Sequence, residues 1–398
     1  MRADVDEFRR LAAAQKAIKA LDVRGQDLSG IDLSGITLVG VGLAGANLSG
    51  STLCDSVWAE CDLTGARLDG AAGDNALLHK CSLANASLAE ASFEGAFFAE
   101  CGLAGAAFGG AKLAGASFSG SDLSSARLSR AVLTSATFLE CKTEKLDLTG
   151  VFLDRVNFLK VDLASAVLDG VTFDRAILME SNLSGHSLRG TDLKRSQLIG
   201  ANLSGCDLRE TNLVGSNFKD ADLSKARLDG ARASRTVFQG ANLEGAALVG
   251  ANLQQAGFVD AKAAGADFSK TKLRESLFIR AKCEKAQFAG AELMYADMSH
   301  ADLRHANFHG ATMFRTKLHR ARTLGATAVS PAALGDDADL AEAEQWGTVP
   351  PPTGPGPEGG PSSGRLPTSA RPLAMPSARE SPPASMRTPP SPPVAPPP

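Results

Sequence analysis

A period of five residues constrains this chain more than any other feature. From Gln26 to Arg320 it runs as 59 consecutive five-residue units without an insertion. Positions 28, 33, 38 and onward to 318 hold Leu or Phe in 51 of 59 units. The position two before each holds Ala, Ser, Thr or Cys in 49 of 59. An α-helix needs apolar residues at spacings of three and four, and a flat strand needs alternation by two. A period of five over this length fits neither. A fixed short period defines a solenoid, in which each repeat touches only its neighbours. Each unit is then a short extended piece closed by a corner. The large centre residue and the small residue two before it point inward, and the other three positions face out.

The aromatic residues set the number of units in a turn. Phe98, Phe118, Phe138, Phe158, Phe218, Phe238, Phe258 and Phe278 lie on one 20-residue series that begins with Trp58. Phe268, Phe288 and Phe308 form a second series. Trp58-Ala-Glu-Cys61 echoes at Phe98-Ala-Glu-Cys101 and at Phe138-Leu-Glu-Cys141. Twenty residues are four units, so each coil has four sides and the run makes about 15 coils. The expected fold is all-β, with a core ladder of aromatic rings stacked at about the inter-strand spacing of 4.8 Å.

The clean units Ala-Asn242-Leu243, Ala-Asn252-Leu253 and Ala-Asp302-Leu303 resemble those of the pentapeptide-repeat family. The resemblance implies a right-handed quadrilateral β-helix over residues 26–325. Departures at the centres are Gly73, Thr143, Ala233, Ala263 and Cys283, with bulkier Ile31, Val151, Val156 and His186 among the inward small positions. Gly73 offers no core side chain and reads as the soft spot. Gly closes 26 of the 59 units, where it suits a corner of positive φ. The other corners, mostly charged, read as corners without that need.

The flanking segments follow other patterns. Residues 4–22 read as a helix with Phe8, Leu11, Ala14, Ile18 and Leu21 in one stripe, so 1–25 is expected to be a cap over the first coil. A solenoid end exposes unpaired strand edges and needs such a lid. Residues 326–346 form a short acidic segment, with a helix expected from Pro331 to Trp346. Residues 347–398 are Pro-rich and expected to be disordered. The sequence has no 18-residue apolar run and begins with a charged stretch, Met1–Arg10, so a cytoplasmic protein without a membrane span is expected.

No phosphate loop, dinucleotide fingerprint, metal-spaced Cys pair or nucleophile elbow is present, so neither catalysis nor a cofactor is expected. Asp or Asn before many centres, as at Asp122, Asp222 and Asn252, reads as local turn chemistry. Cys61, Cys81, Cys101, Cys141 and Cys206 stand at inward small positions and read as reduced fillers. His300, His305, His309 and His319 read as solvated, with His300 and His319 on adjacent coils.

The surface is more informative. Residues 26–125 carry 11 acids and 3 bases, and residues 126–325 carry 22 acids and 28 bases. Leu139, Leu159, Met179 and Ile199 sit one residue past the centre of one side in successive coils, beside Ile177. Arg155, Arg175 and Arg195 stack at the adjoining corner. Exposed apolar residues in a row suggest a protein interface. The expected function is a non-enzymatic scaffold for a protein partner, a homodimer included, with no small-molecule substrate and no nucleic acid. The family resemblance implies two alternatives: a DNA mimic that binds a type II topoisomerase, and an adaptor or component of a bacterial secretion apparatus.

Overall fold

Every coil of the solenoid is joined to the next by parallel backbone pairing at a step of 20 residues. The computed structural model describes residues 2–346. The chain divides into two units, Met1–Glu344 and Gln345–Pro398. The solenoid lies in the first; of the second, residues 345 and 346 are described, as the end of a helix. The tail expected over 347–398 lies outside the described residues.

The strands are β1 (Ile18–Lys19), β2 (Thr37–Val39), β3 (Val57–Ala59), β4 (Leu77–His79), β5 (Phe97–Ala99), β6 (Ser117–Ser119), β7 (Thr137–Leu139), β8 (Phe152–Asp154), β9 (Asn157–Leu159) and β10 (Thr172–Asp174). Strands β1 to β7 and then β9 form one eight-stranded parallel sheet, and β8 pairs with β10. Isolated parallel bridges keep the same step on all sides, from Asp22↔Gly42 to Asn307↔Thr327. Hydrogen bonds therefore run between coils: the Phe218 N–H donates to the Val237 carbonyl at 2.7 Å, one coil on.

The core is a set of columns. In the register Phe98↔Phe118 and Phe138↔Phe158, like residues fall on like. Phe98, Phe118, Phe138 and Phe158 stack with centroids 4.8, 4.9 and 4.8 Å apart. The column resumes at Phe218, Phe238, Phe258 and Phe278 with spacings of 5.4, 5.0 and 4.4 Å. Leu178 and Leu198 fill the interval. The second column, Phe268, Phe288 and Phe308, meets the first edge-on, as at Phe268–Phe278 with 83° between planes. Trp58 is buried at the start of the first column, its indole N–H donating to Ser56 Oγ at 2.7 Å.

The helix α1 (Arg2–Ala13) is shorter than the apolar stripe suggests. Phe8 and Ala12 are buried under it. Ile18 instead enters β1, opposite Leu38, and starts the sheet. Residue 18 satisfies helical spacing from Phe8 and also the five-residue phase leading to 28. Backbone pairing with β2 decides between them.

Nor does the helix near the other end start at Pro331. Residues 330–334 turn and add one more bridge, Lys317↔Leu334. The helix α2 (Ala338–Trp346) follows, and Asp337 Oδ1 accepts the Leu340 N–H at 3.1 Å to cap it.

The corners differ from expectation in one respect. Every fifth residue from Gly25 to Gly325, Ser165 excepted, has positive φ, whether or not it is Gly. Glu60, Arg155 and Lys225, at 55°, 53° and 56°, hold the same left-handed conformation as Gly65 at 65°. A side chain there costs roughly 1 kcal/mol relative to Gly. Lys225→Gly is therefore expected to stabilise the solenoid by about 1 kcal/mol in denaturant unfolding. An unchanged or lowered midpoint contradicts the reading.

The Asp and Asn residues before the centres bond their own corners. The N–H groups of Ser124 and Ser224 donate to Asp122 and Asp222 Oδ1 at 3.0 and 2.9 Å, and that of Gln254 to Asn252 Oδ1 at 3.3 Å. Asn242 Nδ2 donates to Asp222 Oδ1 of the previous coil at 3.0 Å.

Candidate protein-interaction side

The side that carries the eight-stranded sheet is also the side whose outer surface is free of formal charge between Lys19 of β1 and Lys219. Its centres point inward, so its outer surface consists of the residues one before and one after each centre. The first column runs Thr37, Val57, Leu77, Phe97, Ser117, Thr137 and on through Asn157 and Ile177 to Gln197. The second runs Val39, Ala59, His79, Ala99, Ser119 and on through Leu139, Leu159 and Met179 to Ile199. From residue 37 to residue 199 these columns hold no Asp, Glu, Lys or Arg. The opposite side is charged over the same coils, with Asp27, Arg67, Asp69, Arg127 and Asp147.

Leu139, Leu159, Met179, Ile199 and Ile177 all lie on this side, and all are half-buried. Stacked neighbours at the inter-strand spacing cover part of each. The more exposed apolar residues lie earlier, in the other column: Leu77 is 39% exposed and Phe97 55%, with Val57 below them in register. Their 20-residue spacing was visible in the sequence, one position before the centre. The apolar residues thus form two stretches, one in each column, separated by Ser117 and Ser119 of β6.

Charged corners border both edges. At one, Arg155 and Arg175 are exposed and both reach Asp154, at 3.1 Å, and Arg175 also reaches Asp174 at 3.2 Å. Two of the three stacked guanidinium groups are thereby neutralised. Arg195 makes no ion pair among the described residues. At the other edge Lys80 meets Glu100 at 3.8 Å and Lys160 meets Glu140 at 3.1 Å. The hydrogen bond to Glu140 raises the Lys160 pKa.

All seven cysteines are free, and only Cys54 is not buried. The thiols of Cys101, Cys141 and Cys206 donate to backbone carbonyls of Leu78, Phe118 and Leu183 at 3.3, 3.3 and 3.0 Å. Burial pushes Cys141 and Cys206 up to about 11 and Cys283 to about 12, so these sulfurs stay protonated at neutral pH. His186 is half-buried, with Nε2 2.7 Å from the Leu163 carbonyl.

His319 departs from the solvated reading. It is 2% exposed, because α2 covers it, and its ring lies 5.5 Å from that of His300. Glu344 of α2 closes the group: Oε1 is 2.9 Å from His300 Nε2 and 3.6 Å from His319 Nε2, and Oε2 is 2.6 Å from Arg320. The three residues could draw in a metal by ligand type. However, His319 Nδ1 accepts the Asp337 N–H at 3.0 Å, so the neutral ring carries its proton on Nε2, facing Glu344. A metal there would need the ring to give up that proton or that hydrogen bond. The cluster is a clasp that holds α2 to the last coil.

The fold is a parallel β-solenoid with coils joined at a step of 20 residues. The family model of pentapeptide repeats matches residues 22–53, 43–72, 101–139 and overlapping stretches from 157–195 to 281–320. These matches cover more than half of the chain, which belongs to the pentapeptide-repeat family. Among solved structures, one similar to this chain is full-length QnrB1, a plasmid-mediated fluoroquinolone resistance protein: 16% identity, TM-score 0.29, over 55% of this chain and 92% of that one. Another is HetL of the cyanobacterium Nostoc, involved in heterocyst differentiation regulation: 19% identity, TM-score 0.16, over 81% and 93%. A pentapeptide repeat protein of the Arabidopsis thaliana thylakoid lumen is 35% identical, TM-score 0.14, over 25% and 68%. Among curated proteins none matches. No helix among the described residues is long and apolar enough to cross a membrane.

Proposed function

We propose that the chain is a non-enzymatic scaffold whose uncharged side binds a protein partner. One observation carries the reading: two outward columns stay free of formal charge from residue 37 to residue 199, whereas the opposite side carries Asp27, Arg67, Asp69, Arg127 and Asp147 over the same coils. Interfaces gather apolar anchors at the centre and charge at the rim. The apolar residues Val57, Leu77, Phe97, Leu139, Leu159, Met179 and Ile199 lie between one corner that carries Arg155, Arg175 and Arg195 and another that carries Lys80, Glu100, Glu140 and Lys160, which fits that arrangement. A mimic of DNA would favour acid along its length, whereas here acids prevail only in residues 26–125.

The test is Leu159→Glu with Met179→Glu. Both side chains are half-buried on the outside and neither enters the core, so the solenoid should fold with its melting temperature little changed. Association through this side should fall tenfold or more, because charge is forced into a desolvated contact. Unchanged binding in pull-down and sedimentation by the folded double variant rules this side out.

A further inference from the structure

We infer that the occupant of the uncharged side is a second copy of the same chain, lying antiparallel, with the two-fold axis passing between β6 and β7. The inference rests on the reading that this side is an interface and adds its partner, direction and register. Two identical flat sides that meet face to face in antiparallel fashion set each outward column against itself in reverse order. Because coils repeat every 20 residues, the possible registers are few, and each can be read from the sequence.

With the axis between β6 and β7, two large residues of the second column fall on alanines and Met179 meets His79. Leu159 faces Ala99 of the other copy, and Ile199 faces Ala59. In the first column Leu77 meets Ile177, and Phe97 meets Asn157. The corners agree. Glu100 faces Lys160, Lys80 faces Glu180, and Asp55 faces Arg195, the corner guanidinium without an ion pair in its own copy among the described residues. Within these four columns no like charges oppose each other, and each pair occurs twice by symmetry.

The register one coil toward the C-terminus opposes no like charges but sets His79 against Lys219 and Arg195 against Gly95, and the registers toward the N-terminus do worse. Moving the axis onto Gly120 sets Lys80 against Lys160 and Glu60 against Glu180, with like charges opposed. Moving it one coil toward the N-terminus avoids that clash but sets Ile199 against Lys19 and leaves Arg195 without a carboxylate. The favoured contact covers the coils from residue 55 to residue 200. At about 4.8 Å per coil and about 3.3 Å per residue across the side, it measures roughly 38 by 16 Å, or about 600 Å² on each copy. That is the low end for a stable interface, in the range of weak, reversible contacts.

Sedimentation of the purified full-length chain across the micromolar range tests this. A reversible dimer is expected. Arg195→Asp, which sets two carboxylates face to face, should weaken it several-fold. Asp55→Arg combined with Arg195→Asp should restore it, although neither change touches the core. Register is read by Leu77→Cys with Ile177→Cys in a Cys54→Ser background, the remaining cysteines being buried. Within one copy these positions lie five coils, about 24 Å, apart, beyond the reach of a short bis-maleimide, whereas facing sheets stand about 10 Å apart, within its reach, so only a cross-linked dimer can form. The result expected is bis-maleimide cross-linking to dimer for this pair and none for Leu77→Cys with Thr137→Cys, which reports the register one coil away. A chain that is monomeric throughout, a dimer indifferent to the charge swap, or cross-linking of the second pair overturns the inference. The scaffold reading is separable. A monomer that captures another protein, and loses it with Leu159→Glu and Met179→Glu, leaves that reading standing, whereas a chain that does neither overturns both.

Discussion

Phe138→Ala is expected to cost about 3–5 kcal/mol, with the damage confined to the coils on either side. Phe138 is fully buried, its ring 4.9 Å from Phe118 at 7° and 4.8 Å from Phe158 at 14°. Removing it takes the middle ring from a stack and leaves a gap that two rigid neighbours cannot close. Backbone pairing on both sides holds those neighbours at the inter-strand spacing, so relaxation is limited. Each coil bonds only to the coil before and the coil after, as in Thr137 N–H to the Ala116 carbonyl at 2.9 Å. Hydrogen exchange should therefore accelerate near residues 118–158 and remain slow beyond residue 220. Uniform acceleration along the solenoid would show one cooperative unit and refute the nearest-neighbour account.

Gly73→Leu is expected to destabilise by about 3 kcal/mol, although it restores the residue that the repeat would place there. If residue 73 left a hole, Leu would fill it and stabilise the fold. The Phe93 ring from the next coil occupies that space, its Cε1 2.3 Å from where a Cβ on residue 73 would stand, and the apolar gap left among Trp58, Leu78 and Phe93 is too small for a water. Phe93 is itself buried and packs 5.7 Å from Phe98. A larger side chain has to displace the ring. Chemical denaturation decides by sign, since a gain in stability would mean that Phe93 moves aside at no cost.

The pair Gly73 and Phe93 shows where a one-dimensional reading stops. The five-residue phase tells which side chains enter the core, and the 20-residue echo tells which of them stack. That was enough for the ladder from Phe98 to Phe158 and for the outward placement of Leu139, Leu159, Met179 and Ile199. Compensation between adjacent coils depends on three-dimensional volume, which the phase does not encode. Ile18 was ambiguous for a related reason: it fits two periods at once, and only pairing with Leu38 resolves them. His319 carries the outward phase yet is buried, because a helix from outside the repeat folds over it. The uncharged side lay in the sequence throughout. It emerges only when residues before and after the centre are read together as one surface, rather than as separate columns.

The corner that closes each unit bends the backbone in the same way whether it is Gly, Glu or Arg, so neighbouring units are interchangeable in shape. A deletion of 20 residues would shorten the solenoid by one rung and leave every later side facing as before. A deletion of five would keep large and small residues in their inward phase yet turn everything downstream through a quarter rotation. Such a change would break the ring columns, which stack only at a step of 20, and would split the uncharged strip between two adjoining sides. The rotational frame that lets the rings stack is therefore the same frame that keeps the uncharged columns on one side.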